Sequence, residues 1–577
     1  MGKIYQNWIK SKREAFANIT IQGSALGLIH SSKSYGRKFP FSWERSHRQK
    51  CLVAAYSHLR NENTRMNSTN TVVLLSVNDN VIARLLIYEV QYRGLFMLIF
   101  VLGIGGSFQY GFQISIMNSP SQFVKRFIND TWIHRYYLPI TDNSLRLLWS
   151  FIVSSYCIGG LLGSLGSGYL ASKYGKKRCQ LYSNMIPITA ALLMGLSATA
   201  RSFEMILIAR FLYGINAGFG LNIHSQYAGE IADKKLRGFT NTSISIFVTT
   251  GKLTGQILGL REILGIESQW PLLLAFSGFW ALAQIVTLPL FPESPPYLLM
   301  EKGDKDGCIK AIKQLWGDRD HQKEIDEMLQ EQASRKSGRS LTVRELLREP
   351  SLRWQLYMLV ALTIALQLCG INAVYFYAAE VFKAAGFSEK QIPYLTVGVG
   401  ICETTSVIMC GLVVDHFGRR LILLAGYASM ILSLGLLTLT ISLQSTFSWM
   451  PYCSVILLLI YTLSFGTGAG GTTITINLEI FSQEARAPAM VIVGVINWLG
   501  LTIIGLVFPF VVATMEQFCF LIFLIITAVC GAFLYFYLPE TKGKSWLQIR
   551  EDFDKYNFTK QHCTEDQPSA IATSTRF

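Results

Sequence analysis

The stretch Ala361–Ala379, ALTIALQLCGINAVYFYAA, determines how the rest of the chain can be interpreted. It is apolar, long enough to cross a bilayer and free of charge until Glu380. Two amides, Gln367 and Asn372, lie inside it with Gly370 between them. An amide in hydrocarbon costs free energy unless a partner satisfies its hydrogen bonds. The amides therefore either join helices or line a polar cavity, and we favour the cavity. A break near Gly370 would bring the two amides together.

The composition predicts a membrane protein with many spans. Of 577 residues, 50% are hydrophobic and only 15% are charged, and the mean hydropathy is +0.32. A net charge of +15 could suit nucleic acid, but the basic residues lie between the apolar stretches, as the positive-inside bias requires. The sequence contains no nucleophile–base set, metal-ligand cluster or phosphate-binding loop. We therefore expect a lipid bilayer as partner, and no enzyme activity, cofactor, metal or nucleic acid.

Apolar windows of about 20 residues predict twelve spans, six on each side of a charged segment. They fall at 94–114, 147–170, 180–199, 203–223, 239–259, 270–290, 355–378, 392–413, 420–441, 451–475, 487–511 and 516–537. The predicted fold class is an all-α membrane protein with twelve transmembrane helices in two six-helix bundles. The predicted domains are a basic N-terminal extension (1–93), the first bundle (94–290), a helical linker (291–354), the second bundle (355–538) and a C-terminal tail (539–577). Amphipathic helices are predicted in the linker at 306–316 and 321–335.

Basic clusters predict the orientation of the spans. They follow the second, fourth and eighth spans, at 173–178, 234–237 and 419–420. This places the linker and both termini in the cytosol. The N-terminal extension, whose residues 1–90 have a net charge of +8, is expected to be cytosolic as well. Asn129, in an Asn-Asp-Thr sequon after the first span, is then a predicted glycosylation site on the outer side.

Three motif pairs recur in the two halves at offsets of 243, 249 and 247 residues. The pairs are Gly175-KKR with Gly418-RR, Glu230-IADKKL-Arg237 with Glu479-IFSQEA-Arg486, and Pro292-ESP with Pro539-ETK. Nearly constant offsets indicate a duplication, and a transporter with its site between two related halves is what such a repeat implies.

The charges near these motifs predict a cytosolic gate. Ion pairs between the bundles would hold the cytosolic face shut and separate as it opens, although the same charges could instead only anchor the helix ends. The predicted gate residues are Arg210, Glu230, Arg237, Asp415, Arg419, Arg420, Glu479 and Arg486.

Taken together, the motifs resemble those of the facilitative hexose transporter (GLUT) family, sugar porters of the major facilitator superfamily. The resemblance covers about 94–545. The motifs that show it are Gln367-LCGINAVYFY, Asp415-HFGRR, Gly229-Glu230…Arg237-Gly238, Pro292-ESPPYL, Asn497-Trp498 and Pro539-ETKGK. The resemblance implies a facilitative carrier in the plasma membrane that moves a hexose or a similar polar solute by alternating access. The substrate-binding residues it implies, together with the polar groups noted above, are Gln256, Gln367, Asn372, Tyr375, Glu403 and Trp498.

Departures from the family pattern bear on the substrate. Thr363-Ile364-Ala365 stands where glucose carriers have Gln-Leu-Ser, which resembles the fructose and urate class. Four further departures remove residues that the family has at its sugar site or cytosolic gate. They are Leu366 in place of a glutamine, Ser245 in place of a glutamine, Ile474 in place of a tryptophan and Pro296 in place of an arginine. Fructose, glucose and urate are therefore all candidate solutes, and no oligomeric state is predicted.

Two other functions were weighed against a facilitative carrier. Proton-coupled relatives have an aspartate where Gln113 aligns, and an amide cannot carry a proton. A non-transporting sugar sensor on the same fold would usually have a long cytosolic tail, and here about 40 residues follow the last span.

Glu403 is the least expected residue in a span. An ionised carboxylate there costs about 3 kcal/mol on translocon scales, so it should face the cavity and either bind a donor or keep its proton. Glucose carriers of the family have asparagine at this position. Glu403 is therefore predicted to help select the solute, the alternative being an acid that only bonds to a neighbouring helix.

Overall fold

The computed structural model describes residues 92–557 except 233–235, 318–320, 327, 330–341, 445, 516–517 and 545. All regular structure in this part of the chain is helical. The helices are α1 Arg93–Gly105, α2 Ser107–Ser115, α3 Ser121–Tyr136, α4 Asp142–Tyr174, α5 Lys176–Ser183, α6 Met185–Leu196, α7 Phe203–Ile231, α8 Arg237–Leu258, α9 Trp270–Ala275, α10 Ser277–Thr287, α11 Pro295–Met300, α12 Lys305–Trp316, α13 Val343–Arg348, α14 Arg353–Leu368, α15 Ile371–Phe376, α16 Ala378–Ala384, α17 Ile392–Phe417, α18 Arg419–Ser442, α19 Met450–Thr467, α20 Ala469–Glu479, α21 Gln483–Met515, α22 Cys519–Tyr537 and α23 Trp546–Asn557. Two 3₁₀ turns, Leu288–Leu290 and Pro350–Leu352, follow α10 and precede α14.

Twelve spanning helices are present in the described chain, as predicted. Eleven stretches are both long and apolar enough to cross a bilayer. The twelfth span is α8, which has the length but includes Lys252, Gln256 and seven Ser or Thr residues. Its polar side chains are tolerated because several of them, including Lys252 and Gln256, are buried against other helices rather than exposed to lipid.

The spans form two bundles, α1–α10 and α14–α22, here called the first and second halves. In the first half α4 packs along α7, and α2 crosses α8; in the second half α18 packs along α19. Glycines permit such close contact: a Cβ on Gly111 would lie 1.9 Å from the Val248 carbonyl oxygen, and one on Gly251 2.1 Å from that of Phe108. The halves meet where α4 packs against α21 and where α8 packs against α17.

The repeat predicted from the motifs is also present in the backbone. Gly175 (φ 89°, ψ 154°) and Gly418 (φ 90°, ψ 156°) precede α5 and α18 with the same left-handed turn, which favours glycine. Glu293 accepts hydrogen bonds from the backbone N–H of Lys177 at 3.1 Å, and Glu540 accepts from the N–H groups that open α18 at 3.0 and 3.1 Å. In each half the glutamate of the Pro-Glu motif therefore satisfies the first amide groups of a helix.

The linker contains short helices, as predicted. The segment predicted at 306–316 is α12, which begins at Lys305 because Asp304 caps it by accepting from the Gly307 N–H at 2.8 Å. In the second predicted helix, 321–335, residues 322–326 and 328–329 are helical, whereas 327 and 330–335 lie outside the described part. The N-terminal extension up to residue 91 and the tail beyond residue 557 lie outside it as well.

The span that contains the two amides is broken at Gly370, the position where the sequence analysis considers a break. α14 ends at Leu368 and α15 begins at Ile371, and Gly370 between them has φ 107°. A Cβ on Gly370 would lie 2.7 Å from the Phe523 ring. Both the backbone conformation and the space at this position therefore require glycine.

We expect Gly370→Ala to lower the melting temperature of the purified protein, because an L-residue in the left-handed region costs about 1–2 kcal/mol and the new methyl group contacts Phe523. Gly398→Ala is the matched control, since nothing lies within 4 Å of a Cβ at that helical glycine. Equal melting temperatures for the two variants would contradict this explanation of the break.

Candidate functional site

Two buried amides and a half-buried one meet at the break in the seventh span. Asn372 Nδ2 donates to Gln367 Oε1 at 2.8 Å and to the Gln367 carbonyl oxygen at 3.1 Å. Gln367 Nε2 in turn donates to Asn497 Oδ1 on α21 at 2.5 Å. The break thus brings together the two amides that the sequence predicts to be neighbours. We call Gln367, Asn372 and Asn497 the amide cluster.

A buried ion pair lies on the neighbouring helices. Lys252 Nζ is 2.8 Å from Glu403 Oε1, and the two side chains are 6% and 3% exposed. Tyr375 OH donates to the other carboxylate oxygen, Oε2. The ammonium group also lies 4.1 Å from the centre of the Tyr375 ring, within range of a cation–π contact. We call Lys252, Glu403 and Tyr375 the charged triad.

The charged triad joins the two halves of the protein. Lys252 is on α8 of the first half, whereas Tyr375 on α15 and Glu403 on α17 belong to the second. Of the two outcomes expected for Glu403, the structure therefore supports the one in which the carboxylate binds donors. The donors come from both halves, and they occupy both carboxylate oxygens.

Helix α15 places the amide cluster and the charged triad in one region, and Gln256 lies beside the triad. Asn372 and Tyr375 are three residues apart on α15 and share a face, so the triad continues the amide cluster along that helix. Gln256 follows Lys252 by one turn of α8, and a Cβ on Gly400 would lie 1.9 Å from its Oε1. Its amide is buried, and neither its nitrogen nor its oxygen has a partner among the described residues. An unpaired buried amide of this kind suits a site that hydrogen-bonds a solute.

Trp498, the remaining predicted binding residue, packs between the halves. Its ring is 5.4 Å from that of Tyr110 and 5.7 Å from that of Tyr156, both edge-on. A Cβ on Gly160 of α4 would lie 2.1 Å from the indole. The contact between α4 and α21 is therefore filled by Trp498, while the preceding residue, Asn497, belongs to the amide cluster.

The sequence reasoning missed Lys252 and the role of Asn497. A signal for Lys252 was present, because a lone lysine in an uncharged predicted span is as costly as a lone glutamate and has the opposite sign. That it faces Glu403, 151 residues away, follows only from the packing of α8 against α17. Asn497 stood in a quoted motif, but nothing in the sequence marked it as a partner of Gln367.

Some of the predicted gate residues pair within one half. Lys176 Nζ is 2.8 Å from Glu230 in the first half, and Arg419 is 3.4 Å from Glu479 in the second. Arg420 donates to the Tyr535 carbonyl oxygen at 2.7 Å, and Arg486 donates to that of Phe481 at 3.4 Å. These contacts also lie within the second half. The side chains of Arg237 and Asp415 lie outside the described part.

Arg210 is not at the predicted gate, and the prediction that it belongs there is wrong. It lies 20 residues before Glu230 on α7, which separates the two by about 30 Å along the helix. Its guanidinium is fully buried, donates to Gln113 Oε1 at 2.8 Å and lies 4.6 Å from the centre of the Tyr156 ring. The sequence already contained the signal, because Arg210 lies near the start of the predicted fourth span, 203–223, at the end away from the cytosolic cluster at 234–237.

Asn129, the predicted glycosylation site, lies in α3 rather than in an extended loop. It is half-buried, and its Oδ1 accepts a hydrogen bond from the Ile140 N–H at 3.3 Å.

Among known proteins, the family described as "Sugar (and other) transporter" matches residues 98–553. Facilitated glucose transporter member 9 of solute carrier family 2 from Homo sapiens is 40% identical over 453 residues, 78% of this chain and 84% of its own. Member 11 from Homo sapiens is 40% identical over 473 residues, 82% of this chain and 95% of its own. Member 5 from Rattus norvegicus is 38% identical over 458 residues, 79% of this chain and 91% of its own.

Solved structures resemble the chain in fold. The proton:xylose symporter XylE bound to 6-bromo-6-deoxy-D-glucose matches with a TM-score of 0.65 and 20% identity, covering 80% of this chain and 99% of that one. The inward open conformation of XylE from E. coli matches with a TM-score of 0.64 and 19% identity, covering 79% and 99%.

We expect the ion pair to behave as a unit in stability measurements. Lys252→Met alone leaves a buried carboxylate without its cation and should destabilise the protein by about 3–5 kcal/mol, whereas Lys252→Met/Glu403→Gln should be nearly neutral. The measurement is the melting temperature of the purified parent, both single variants and the double variant. Additive losses in the double variant would contradict the coupling of the two side chains.

Proposed function

The chain belongs to the sugar transporter family, and from this membership we propose that it is a facilitative carrier that moves a hexose, fructose or glucose, across a membrane. The observation that carries the proposal is the polar region between the two halves, where the amide cluster, Gln256 and the charged triad lie together. Sugar hydroxyls both donate and accept hydrogen bonds, and amides offer both kinds of partner in a fixed geometry. The substrate-binding residues proposed are Gln256, Gln367, Asn372, Tyr375 and Glu403, with Asn497 added and Trp498 shaping the space beside them.

The surroundings of Gln113 support uniport rather than proton coupling. Its Oε1 accepts from Arg210 at 2.8 Å, and its Nε2 donates to Ser277 Oγ at 2.6 Å. An amide in this position neutralises no charge and binds no proton, and yet its hydrogen bonds are satisfied. Transport would then follow the gradient of the solute alone.

Contacts between the halves support alternating access. At the ends of the spans away from the linker, Asn118 donates to the Tyr375 carbonyl oxygen and accepts from the Ala378 N–H at 3.1 Å. In the same region Tyr394 OH donates to Glu262 at 2.5 Å. At the linker ends, in contrast, Lys176–Glu230 and Arg419–Glu479 pair within one half. We propose that ion pairs between the halves replace these when the linker face closes.

The protein is a multi-pass membrane protein, and we propose that it resides in the plasma membrane with both termini and the linker in the cytosol. The basic clusters at the linker ends of the spans support this orientation. Asn129 would then lie outside the cell, where its sequon can be glycosylated.

Urate is the second candidate solute, and the observation that favours it is Lys252. A buried ammonium beside amides can hold a monoanion, provided that Glu403 does not cancel its charge. The two solutes are separated by measuring them in the same preparation.

We expect proteoliposomes with the purified protein to take up radiolabelled fructose or glucose saturably, with no effect of a protonophore. Gln367→Leu and Asn372→Leu should each raise the apparent Km, by about tenfold for each 1.4 kcal/mol of hydrogen bonding lost. Gln355→Leu is the matched control, because Gln355 is equally buried on α14 but lies 12 residues from Gln367. Uptake of urate without either hexose would overturn the hexose proposal, and an unchanged Km in both site variants would remove the amides from the site.

A second prediction concerns the proposed gate. Arg486→Ala should weaken closure of the linker face and favour the state that is closed on the opposite side. The cleft lined by Lys125, Arg146, Tyr377 and Val512 on that side has a volume of about 370 Å³. Labelling of a Val512→Cys background by an impermeant thiol reagent should therefore slow by about threefold or more.

Arg237→Ala should act in the same direction, and Arg344→Ala, an exposed arginine on α13, is the control. Unaltered labelling with full transport in both gate variants would reduce these arginines to anchors of the helix ends.

A further inference from the structure

Four charged side chains are buried in the described part of the chain: Lys176, Arg210, Lys252 and Glu403. Lys176 pairs with Glu230 at the linker ends of the spans, and Arg210 is bonded to the neutral Gln113. Lys252 and Glu403 differ from both, because each is buried and each is the other's counter-ion. They are also the pair that borders the amide cluster.

Packing of the two halves does not by itself require this ion pair. The related contact between α4 and α21 is built from uncharged groups: Trp498 covers Gly160, and a Cβ on Gly505 would lie 2.6 Å from Ser154 Oγ. Burying two charges instead is expensive, because the desolvation of both ions offsets most of their attraction. A role beyond helix contact is therefore needed to explain why α8 and α17 meet through charges.

We propose that Lys252 and Glu403 together determine the charge of the solute that the carrier accepts. This inference rests on the proposed hexose site and names its selectivity. While the pair is intact, the opposite charges cancel beside the amide cluster, and an uncharged solute gains most from the site. Lys252 is the specificity-determining residue that the sequence did not mark, and Glu403 sets the net charge beside the site through its pairing with Lys252.

The geometry gives each partner a distinct part. Both oxygens of Glu403 accept from the protein, one from Lys252 and the other from Tyr375, so a solute would share the carboxylate with these two donors. The ammonium has three donors, of which one is used on Glu403. If the carboxylate is replaced by an amide, the cation remains beside Gln256 without a counter-ion and should attract a carboxylate-bearing solute. If the lysine is replaced instead, the remaining anion should repel it.

The test uses two inhibitors of nearly the same shape, glucuronamide and glucuronate, which differ in charge at one carbon. Each competes with the labelled hexose that the parent transports, and the readout is the ratio of the two inhibition constants. From the parent to Glu403→Gln this ratio should shift by about tenfold or more in favour of glucuronate, which corresponds to 1.4 kcal/mol. Lys252→Met should shift it the other way, and Lys252→Met/Glu403→Gln should return it to within about threefold of the parent.

A second design installs the charge after folding, in case the single variants do not fold. Lys252→Cys/Glu403→Gln has no charge at either position, so it should reach the native state. Treatment with aminoethyl methanethiosulfonate then creates a cationic side chain close in shape to lysine. Methyl methanethiosulfonate forms the same disulfide but ends in a neutral methyl group. The cationic adduct should bind glucuronate about tenfold better relative to glucuronamide than the neutral adduct does. The parent treated with the same reagents controls for its own cysteines.

Lys383→Met/Glu389→Gln is the control for a general charge effect, since this pair is exposed and its charged atoms are 4.0 Å apart. Equal inhibitor ratios in the parent, Glu403→Gln and the cationic adduct would overturn the charge filter while leaving hexose transport intact. Failure of reagents to modify the cysteine at position 252 would overturn it too, because a filter must face the solute. Absence of hexose uptake by the parent would instead count against the proposed function.

Discussion

Every polar group inside a membrane-spanning bundle must find its partner within the protein, because hydrocarbon offers none. This constraint explains why the polar residues of α8 and α14–α15 are turned inward and why they meet each other. Asn372 bonds to Gln367, Gln367 to Asn497, and Glu403 to Lys252 and Tyr375. Gln256 is one of the departures from the rule, as Asn477 is another, since neither amide has a partner among the described residues. The unpaired amide of Gln256 lies beside groups whose hydrogen bonds are satisfied, and a hydroxyl group of a bound solute would supply its missing partner.

The spans, the repeat and the break at Gly370 could be predicted from the sequence because each depends on local chemistry. Apolar length sets a span, and a glycine between two buried amides marks a place where the helix can open. The partner of Glu403 could not be predicted in this way, since Lys252 is 151 residues distant and the pairing depends on how α8 crosses α17. The position of Arg210, in contrast, could have been predicted, because it lies near the start of the fourth span and 20 residues before Glu230; only its hydrogen bond to Gln113 depends on tertiary packing.

The two halves share their scaffold and differ where they meet each other. Gly175 and Gly418 adopt the same turn, and Glu293 and Glu540 cap the same helix position. The contacts between halves break this symmetry, with Trp498 over Gly160 at one and Lys252 with Glu403 at the other. After a duplication, both halves can keep the same turns and helix caps because each half needs them to fold. The residues at the contact between the halves can change independently. The asymmetric contact is therefore the natural location for substrate selection in this chain.

A charge pair at a moving interface also links selectivity to the transport cycle. Lys252 and Glu403 belong to different halves. Any motion that separates α8 from α17 at this depth would therefore leave each buried charge without its counter-ion. The energetic penalty for an unpaired buried ion is several kcal/mol, far more than a single sugar hydroxyl returns. The halves can therefore rock about this contact more readily than they can open through it. Under that constraint the larger separations of the cycle fall at the ends of the spans, where Asn118 and the linker-face pairs lie, and the solute remains beside an intact pair as access changes.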